Sequence, residues 1–579
     1  MIDPRIYRVA FAPVLVALVV LMFSVEPVPE PVPAPETFAS DFDGRRAAAT
    51  AREIVEVAPE RSPGSSGDDA SADLVADRFA AIASGKLSEQ SFEGSFDGDG
   101  VDLRNVILTL PGNSAETIVV VASRDSTRGS GGTSSAAATA LLLEAAAELG
   151  RTAHEKTIVL LSAGGGTEGG QGVREFLESY PTLDQVEALV AVSSPGVAEP
   201  RPPHVLAWST EDESTSAQLV QTAETALREE TERAAGLGGF AGNLFRLAIP
   251  SGLGAEAVAI SEGLDAIGIS GHGERPPDPE ADLVAGLSEE PMTVFGNATL
   301  ALVLALDTAN DPLAHGPGAH LEFAGNLIPG WAISLLALTL LLPALVTAVD
   351  GLARASRRGE PVLGSLIWAV SLAIPFLGAR LVAYLLALVG IAPDPAFPFD
   401  PGYYEFGWRA AIVLLLIIGV LAGLVALIRP LGLPPRPRPQ TLATALGAVL
   451  SVSALVLWMR NPYLALLCVP IAHVWLIAAR PGRALPAAAT TIATVLALVP
   501  PAAAVAHLAA RLDYGLAAPW QLLLMATSGQ ISALEAFLGC LIAGGLLGLV
   551  ALAVGRRGQR VSPEPAPAVP VAREPVRSG

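Results

Sequence analysis

Two stretches decide the fold: TIVVVA at residues 117–122 and TIVLLS at residues 157–162. Each is an unbroken apolar run rich in β-branched residues. A strand with one wet face would alternate polar and apolar positions, so these read as strands buried on both faces, as in a parallel sheet. Between them, GSGGTSSAAATALLLEAAAELG at 129–150 predicts a helix over 134–149. The pattern then repeats. A helix is predicted over 172–180, a strand over 187–192, a polar helix over 214–234, a strand over 266–270 and a last helix over 294–306. Residues 105–110 alternate and read as an edge strand. Strands alternating with helices imply a doubly wound, mainly parallel α/β sheet. Such sheets bind ligands beyond the carboxyl ends of their strands, so the loops after Ala122, Ser162, Val192 and Ser270 are the ones to inspect.

The rest of the chain differs in composition. Of 579 residues, 51% are hydrophobic, and from about residue 327 the sequence is mostly long runs of Leu, Ala, Val and Ile. Runs of about 18 or more apolar residues are long enough to span a bilayer as helices. They occur near 11–23, 327–349, 363–390, 408–428, 441–459, 463–479, 484–508 and 531–555. This divides the chain into an N-terminal end and helix (1–25), a Pro-rich spacer (26–40), a globular domain (41–312), an all-α bundle of seven spans (327–555) and a Pro-rich tail (556–579) expected to be disordered.

Charge orients these spans. Arg5 and Arg8 precede the first. Arg354, Arg357 and Arg358, then Arg429, Arg436 and Arg438, then Arg480 and Arg483, then Arg556, Arg557 and Arg560 fall in alternate loops. Lys and Arg favour the cytoplasmic side. The expectation is a multi-pass protein of the cell membrane with both termini cytoplasmic and the large domain extracytoplasmic, the lipid bilayer being its first partner. The net charge of −21 argues against nucleic acid as a partner. The two cysteines, Cys468 and Cys540, both lie in apolar runs, so the globular domain has neither a disulfide nor a thiolate metal site.

The segments NVILTLPG (105–112), TIVVVASRDS (117–126), 129–150 and KTIVLLSAGGGTEGGQGVREFL (156–177) together resemble the di-zinc aminopeptidases of metallopeptidase family 28. The resemblance implies two zinc ions that polarise a carbonyl and supply hydroxide, with a carboxylate as general base. It also locates the residues that should do this, and most are changed. The first zinc-binding His, expected in Ala-His-x-Asp, is Ser123, and only the supporting Asp125 stays. The Gly-rich loop 129–133 lacks the bridging Asp. The Glu-Glu pair after the second strand is replaced by 162–167, with Glu168 out of register. The third strand ends in Ser193-Ser194-Pro195 without an acid. His272 in GHGERPPD, with Asp278 after it, stands where the last ligand is expected. Gly and Ser side chains cannot replace His nitrogen and carboxylate oxygen as zinc ligands.

The resemblance therefore implies an aminopeptidase-like protein with no catalytic residues and no metal ligands, Asp125 and Glu168 being vestiges. The layout of one helix, a large domain and about seven helices is similar to the aminopeptidase-like subunit of GPI transamidase and to the endoplasmic-reticulum metallopeptidase. The expected role is binding a peptide or membrane-protein partner, or assembling a membrane complex. His272, Glu274, Arg275 and Asp278 are the binding candidates, with Arg275 able to clamp a carboxylate. Two alternatives stay open. One is an active zinc-dependent hydrolase with relocated ligands, the only reading that calls for zinc as a cofactor. The other is a transporter with an accessory domain, which would draw on Arg380, His473 and Glu535 in the apolar spans. The serines at 123, 126, 134 and 135 sit in no Gly-x-Ser-x-Gly elbow. The loops 129–133 and 164–172 could offer backbone N–H groups to an anion.

Overall fold

In the computed structural model the described residues are 3–35, 42–127, 129–231, 239–314, 316–428, 437–479 and 486–559. Residues 36–40 of the spacer, Asp41, Arg429, Arg436, Arg480, Arg483 and the tail from 560 lie outside them, as do the side chains of Arg556 and Arg557.

Ten strands form two sheets. In chain order they are β1 (Glu26–Pro27), β2 (Lys86–Phe96), β3 (Asp99–Leu110), β4 (Thr117–Ser123), β5 (Thr157–Ala163), β6 (Val186–Ser193), β7 (Val205–Leu206), β8 (Ala266–Ser270), β9 (His320–Phe323) and β10 (Asn326–Pro329). The main sheet has the order β2-β3-β5-β4-β6-β8-β7. Its centre, β5-β4-β6-β8, is parallel. Both edges are antiparallel, so the sheet is mixed.

Alternate residues of the two deciding strands enter different cores. Ile118, Val120, Ile158 and Leu160 pack beneath helices Gly44–Val57, Ser135–Leu149, Ala217–Thr231 and Glu289–Thr308. Val119, Val121, Val159 and Leu161 pack against Gln171–Ser179 and Ala255–Ser261 on the other face. This is the period-2 geometry of a strand covered on both sides. Each such side chain contributes about 1.5–3 kcal/mol by leaving water.

The edge assignment of 105–110 is corrected. That stretch is the end of β3 and lies inside the sheet, between β5 and β2. The true edge, β2, is polar and half-exposed, which hid it. It folds back on β3 through Asp97 and Gly98, both in the left-handed region (φ 52° and 85°), as a two-residue hairpin turn requires.

Among the described residues eight helices are long and apolar enough to cross a membrane, and Ala487–Ala497 with Val499–Arg511 forms a further pair bent by 45°. One of the eight, Glu289–Thr308, is buried in the α/β domain and serves as a core helix. The others and the bent pair fall on the apolar runs seen in the sequence. In the bundle, helix Pro439–Trp458 approaches Trp475 closely, since a Cβ on Gly447 would lie 2.2 Å from its ring.

The domain is docked on these helices. Leu247, Leu321, Ile328, Tyr463 and Ala504 share one cluster across the junction. Asn461 Nδ2 donates to the Leu247 carbonyl at 2.7 Å. The described part of the spacer also rests on the structure: β1 pairs with β10, and the Val32 amide donates to Thr222 Oγ1 at 3.0 Å.

Candidate functional site

The loops after β4, β5, β6 and β8 converge, as the switch-point rule expects, on a small cavity of about 160 Å³. Asp125 lies at its wall, buried. Its Oδ1 accepts the Gly166 amide at 2.8 Å, and its Oδ2 accepts the Thr167 amide at 3.0 Å and the Thr167 hydroxyl at 2.6 Å. The carboxylate is thus spent on holding the loop after β5. Ser123 faces that loop so closely that a Cβ on Gly166 would lie 2.1 Å from its Oγ.

The other Gly-rich loop is used in the same way. Asp282 is buried, and its Oδ1 accepts the Thr133 amide and hydroxyl, both at 2.8 Å, and the Ser134 amide at 3.0 Å. The Ser134 hydroxyl donates to its second oxygen. An acid at the start of helix Ser135–Leu149 is favoured by the orphan amides and the helix dipole. The anion pockets foreseen at 129–133 and 164–172 therefore already hold carboxylates of the chain itself.

Arg61 is fully buried beside them. Its guanidinium donates to the Arg124 carbonyl, the Ala58 carbonyl and Ser135 Oγ, at 2.9, 2.8 and 2.9 Å. Burial pulls its pKa down to about 10. Arg124 forms a buried ion pair with Asp68, with Nε 2.8 Å from Oδ1.

The sequence candidates separate in space. Asp125 lines the cavity. Glu168 does not: it points to a segment arriving from the bundle, 391–407. Its Oε1 accepts the Ala396 amide at 2.9 Å and its Oε2 the Asp97 amide at 3.3 Å. The chain on either side pairs with that segment through Gly169 N to Pro398 O (2.6 Å) and Asp400 N to Thr167 O (3.0 Å). Phe399, Asp400 and Pro401 then form part of the cavity wall. The segment is held from behind by helix Ala518–Thr527, where Trp520 Nε1 donates to the Tyr404 carbonyl at 3.0 Å.

Of the four binding candidates, Glu274 and Arg275 line the cavity, whereas His272 and Asp278 do not. Glu274 is buried in an ion pair with Arg246. Arg275 is engaged by the chain itself. It donates to the Leu512 carbonyl at 3.0 Å, and its other arm meets the exposed Asp278 at 3.2 Å. His272 Nδ1 contacts the Arg275 carbonyl at 3.1 Å, and burial lowers its pKa, so the ring is neutral at neutral pH. Among the described residues no histidine lines the cavity, so the serines there lack the Ser–His pairing of a hydrolase triad.

Three acids escaped the sequence reading. Asp282 is one; its signal was its place four residues after Asp278. Glu256 lines the cavity from the start of helix Ala255–Ser261, and burial pushes its pKa up to about 7. The run SGLGAEA at 251–257, a Gly-rich loop entering a helix, could have suggested it. Asp400, raised by burial to about 6, had no local signal.

Zinc does not fit this donor set. Among the described residues no three His, Cys, Asp or Glu side chains converge as a metal would require. The cavity carboxylates Asp125 and Asp282 are engaged with backbone amides.

Residues 105–240 match the profile of Peptidase family M28. No curated protein matches the chain. Similar solved structures include a glutaminyl cyclase from an Acidobacteriales bacterium (18% identity, 47% of this chain and 98% of that one, TM-score 0.37). A zinc aminopeptidase from Bacillus subtilis (12%, 48% and 99%, TM-score 0.39) and a Zn-dependent exopeptidase from Parabacteroides distasonis (15%, 46% and 99%, TM-score 0.36) are also similar. The domain that carries the cavity thus resembles peptidase family M28 over residues 105–240.

Proposed function

We propose that this is a membrane-anchored, multi-pass, aminopeptidase-like protein that binds a peptide or membrane-protein partner, or helps assemble a membrane complex, without hydrolysing peptides. The observation that carries the reading is the fate of Asp125 and Asp282. Both carboxylates are consumed by amides of the loops that, in a di-zinc enzyme, would hold metal. The cavity left, about 160 Å³, is smaller than the roughly 300–1,000 Å³ typical of small-ligand sites.

Membrane anchoring draws support from the apolar helices and from Arg354, Arg357 and Arg358 at the end of Gly330–Arg357 remote from the α/β domain. In this arrangement the domain is extracytoplasmic and both termini are cytoplasmic.

The test uses the full chain purified in detergent, because the domain's cavity is walled in part by residues of the bundle. After exposure to zinc and desalting, zinc content and hydrolysis of a panel of aminoacyl amides are measured. Near-zero metal and no chelator-sensitive hydrolysis are expected. Tightly held stoichiometric zinc with hydrolysis abolished by chelator would refute the proposal.

A further inference from the structure

A second cavity, of about 1070 Å³, lies where the α/β domain meets the apolar helices. Its domain side is formed by Glu211, Asp212, Ile249 and Pro250. Its other part is apolar, with Leu377, Ile417, Leu464 and Ile471 on four different helices and Leu498 at the break between Ala487–Ala497 and Val499–Arg511. Arg380, Arg460 and Glu535 stand among them. At the upper end of the volume range of small-ligand sites, it has room for acyl chains beside a polar head.

The charged groups are arranged unusually for an apolar bundle. Arg380 is half-buried, eight residues before the end of Ile374–Leu388. Its one hydrogen bond is to the Ile531 carbonyl at 3.3 Å, and among the described residues it makes no ion pair. Arg460, just beyond Pro439–Trp458, is exposed, and its charge already acts on Asp212. Glu535 is taken up by Ser532, whose amide and hydroxyl donate to Oε2 at 2.9 and 2.8 Å. A guanidinium with several free N–H donors beside hydrocarbon is costly unless an anion meets it, and its planar fork matches phosphate oxygens. Asp212, on the domain side of the same cavity, already has Arg460 as a counter-charge, which leaves the neighbouring Glu211 to suit a cation.

Resting on the membrane reading above, we propose that this cavity binds one bilayer glycerophospholipid whose head carries both a phosphate and a primary ammonium. The phosphate meets Arg380, the ammonium meets Glu211, and the acyl chains lie among Leu377, Ile417, Ile471 and Leu498.

The chain's two cysteines, Cys468 and Cys540, both line the cavity and supply the readout. In a Cys468→Ala chain purified from membranes and delipidated in detergent, the rate at which N-ethylmaleimide labels Cys540 is measured with and without dioctanoyl phosphatidylethanolamine. At ten times the lipid's Kd, labelling should slow about tenfold. Dioctanoyl phosphatidylglycerol, which lacks the ammonium, should protect far less, and Arg380→Gln should abolish protection. Equal protection by both lipids, or none by either, overturns the proposal, and these two outcomes need no arginine variant. If the chain were found in the soluble fraction of lysed cells, the membrane reading itself would fall. A membrane-bound chain with unprotected Cys540 would sink the lipid site alone.

Discussion

Glu168 and Ala396 lie 228 positions apart in the chain, yet the Glu168 carboxylate accepts the Ala396 amide at 2.9 Å. This bond fastens the segment 391–407, between helices Ile374–Leu388 and Trp408–Ile428, over the carboxyl ends of the parallel strands. A residue that the family pattern suggested as a relic of catalysis is a latch between the two halves of the molecule.

Glu168→Ala should therefore loosen the segment, not alter chemistry. It leaves the Ala396 and Asp97 amides without their acceptor, at a cost of about 1–3 kcal/mol. Limited proteolysis should then cut within 391–407 faster than in the parent chain. Unchanged cleavage and unchanged melting would show that the pairing of Gly169 with Pro398 holds the segment without Glu168.

The cavity should also make stability depend on pH. Burial raises Glu256 from an ordinary 4.5 to about 7. The folded state then binds more protons than the unfolded state between those values, so stability falls as pH rises through that window. Asp400, raised from 3.8 to about 6, acts in the same direction over a lower window. Glu256→Gln should remove the upper part of the slope and leave the protein more stable above neutrality by roughly 1–3 kcal/mol. Melting curves of parent and variant across this range decide it. Parallel curves would mean that the Glu256 carboxylate is solvated.

Asp68 and Arg124 form a buried pair beneath the loop after β4, and Arg124 also donates to the carbonyls of Ser162 and Arg104. Removing one member leaves a buried charge uncompensated, so Asp68→Ala should cost about 3–5 kcal/mol. Asp68→Ala combined with Arg124→Met should cost less than the sum of the two single changes. Denaturant unfolding of the four chains gives the coupling, and strict additivity would refute it.

Local chemistry explains what the sequence revealed. Strands β4, β5 and β8 announce themselves because continuous β-branched and apolar runs are needed wherever helices cover both faces. Strand β2 (KLSEQSFEGSF) carries no such run, and only the Asp97-Gly98 turn hinted at it. Helices Gly44–Val57 and Ser66–Ala80 also went unread; the buried stripe of the first, Ala47, Ala48, Ala51 and Ile54, is mostly alanine and stands out little in a stretch rich in Ala and charge. In the site, that Ser123 stands where the resemblance expects a His, and that 162–167 carries no acid, was visible directly. The new duties of Asp125, Asp282 and Glu168 were not. They depend on partners 41, 149 and 228 residues away, and no local pattern encodes a contact at that separation.

This packing also bears on whether a zinc site could be built here. The family pattern asks for His at position 123, so Ser123→His is the obvious first step. The imidazole would have to grow from a Cβ that already faces Gly166, so closely that a Cβ added to that glycine would lie 2.3 Å from the Ser123 Cβ. The loop cannot easily withdraw, because Asp125 holds Gly166 at 2.8 Å and Thr167 at 3.0 Å. Behind it, the Thr167 carbonyl accepts the Asp400 amide at 3.0 Å. Inserting a larger side chain into such a site costs about 1–3 kcal/mol. The expected outcome for Ser123→His is a lower melting temperature and no retained zinc after desalting, whereas Ser123→Ala should melt close to the parent. Stoichiometric zinc in Ser123→His would show instead that the loop yields and that a metal position can be built there.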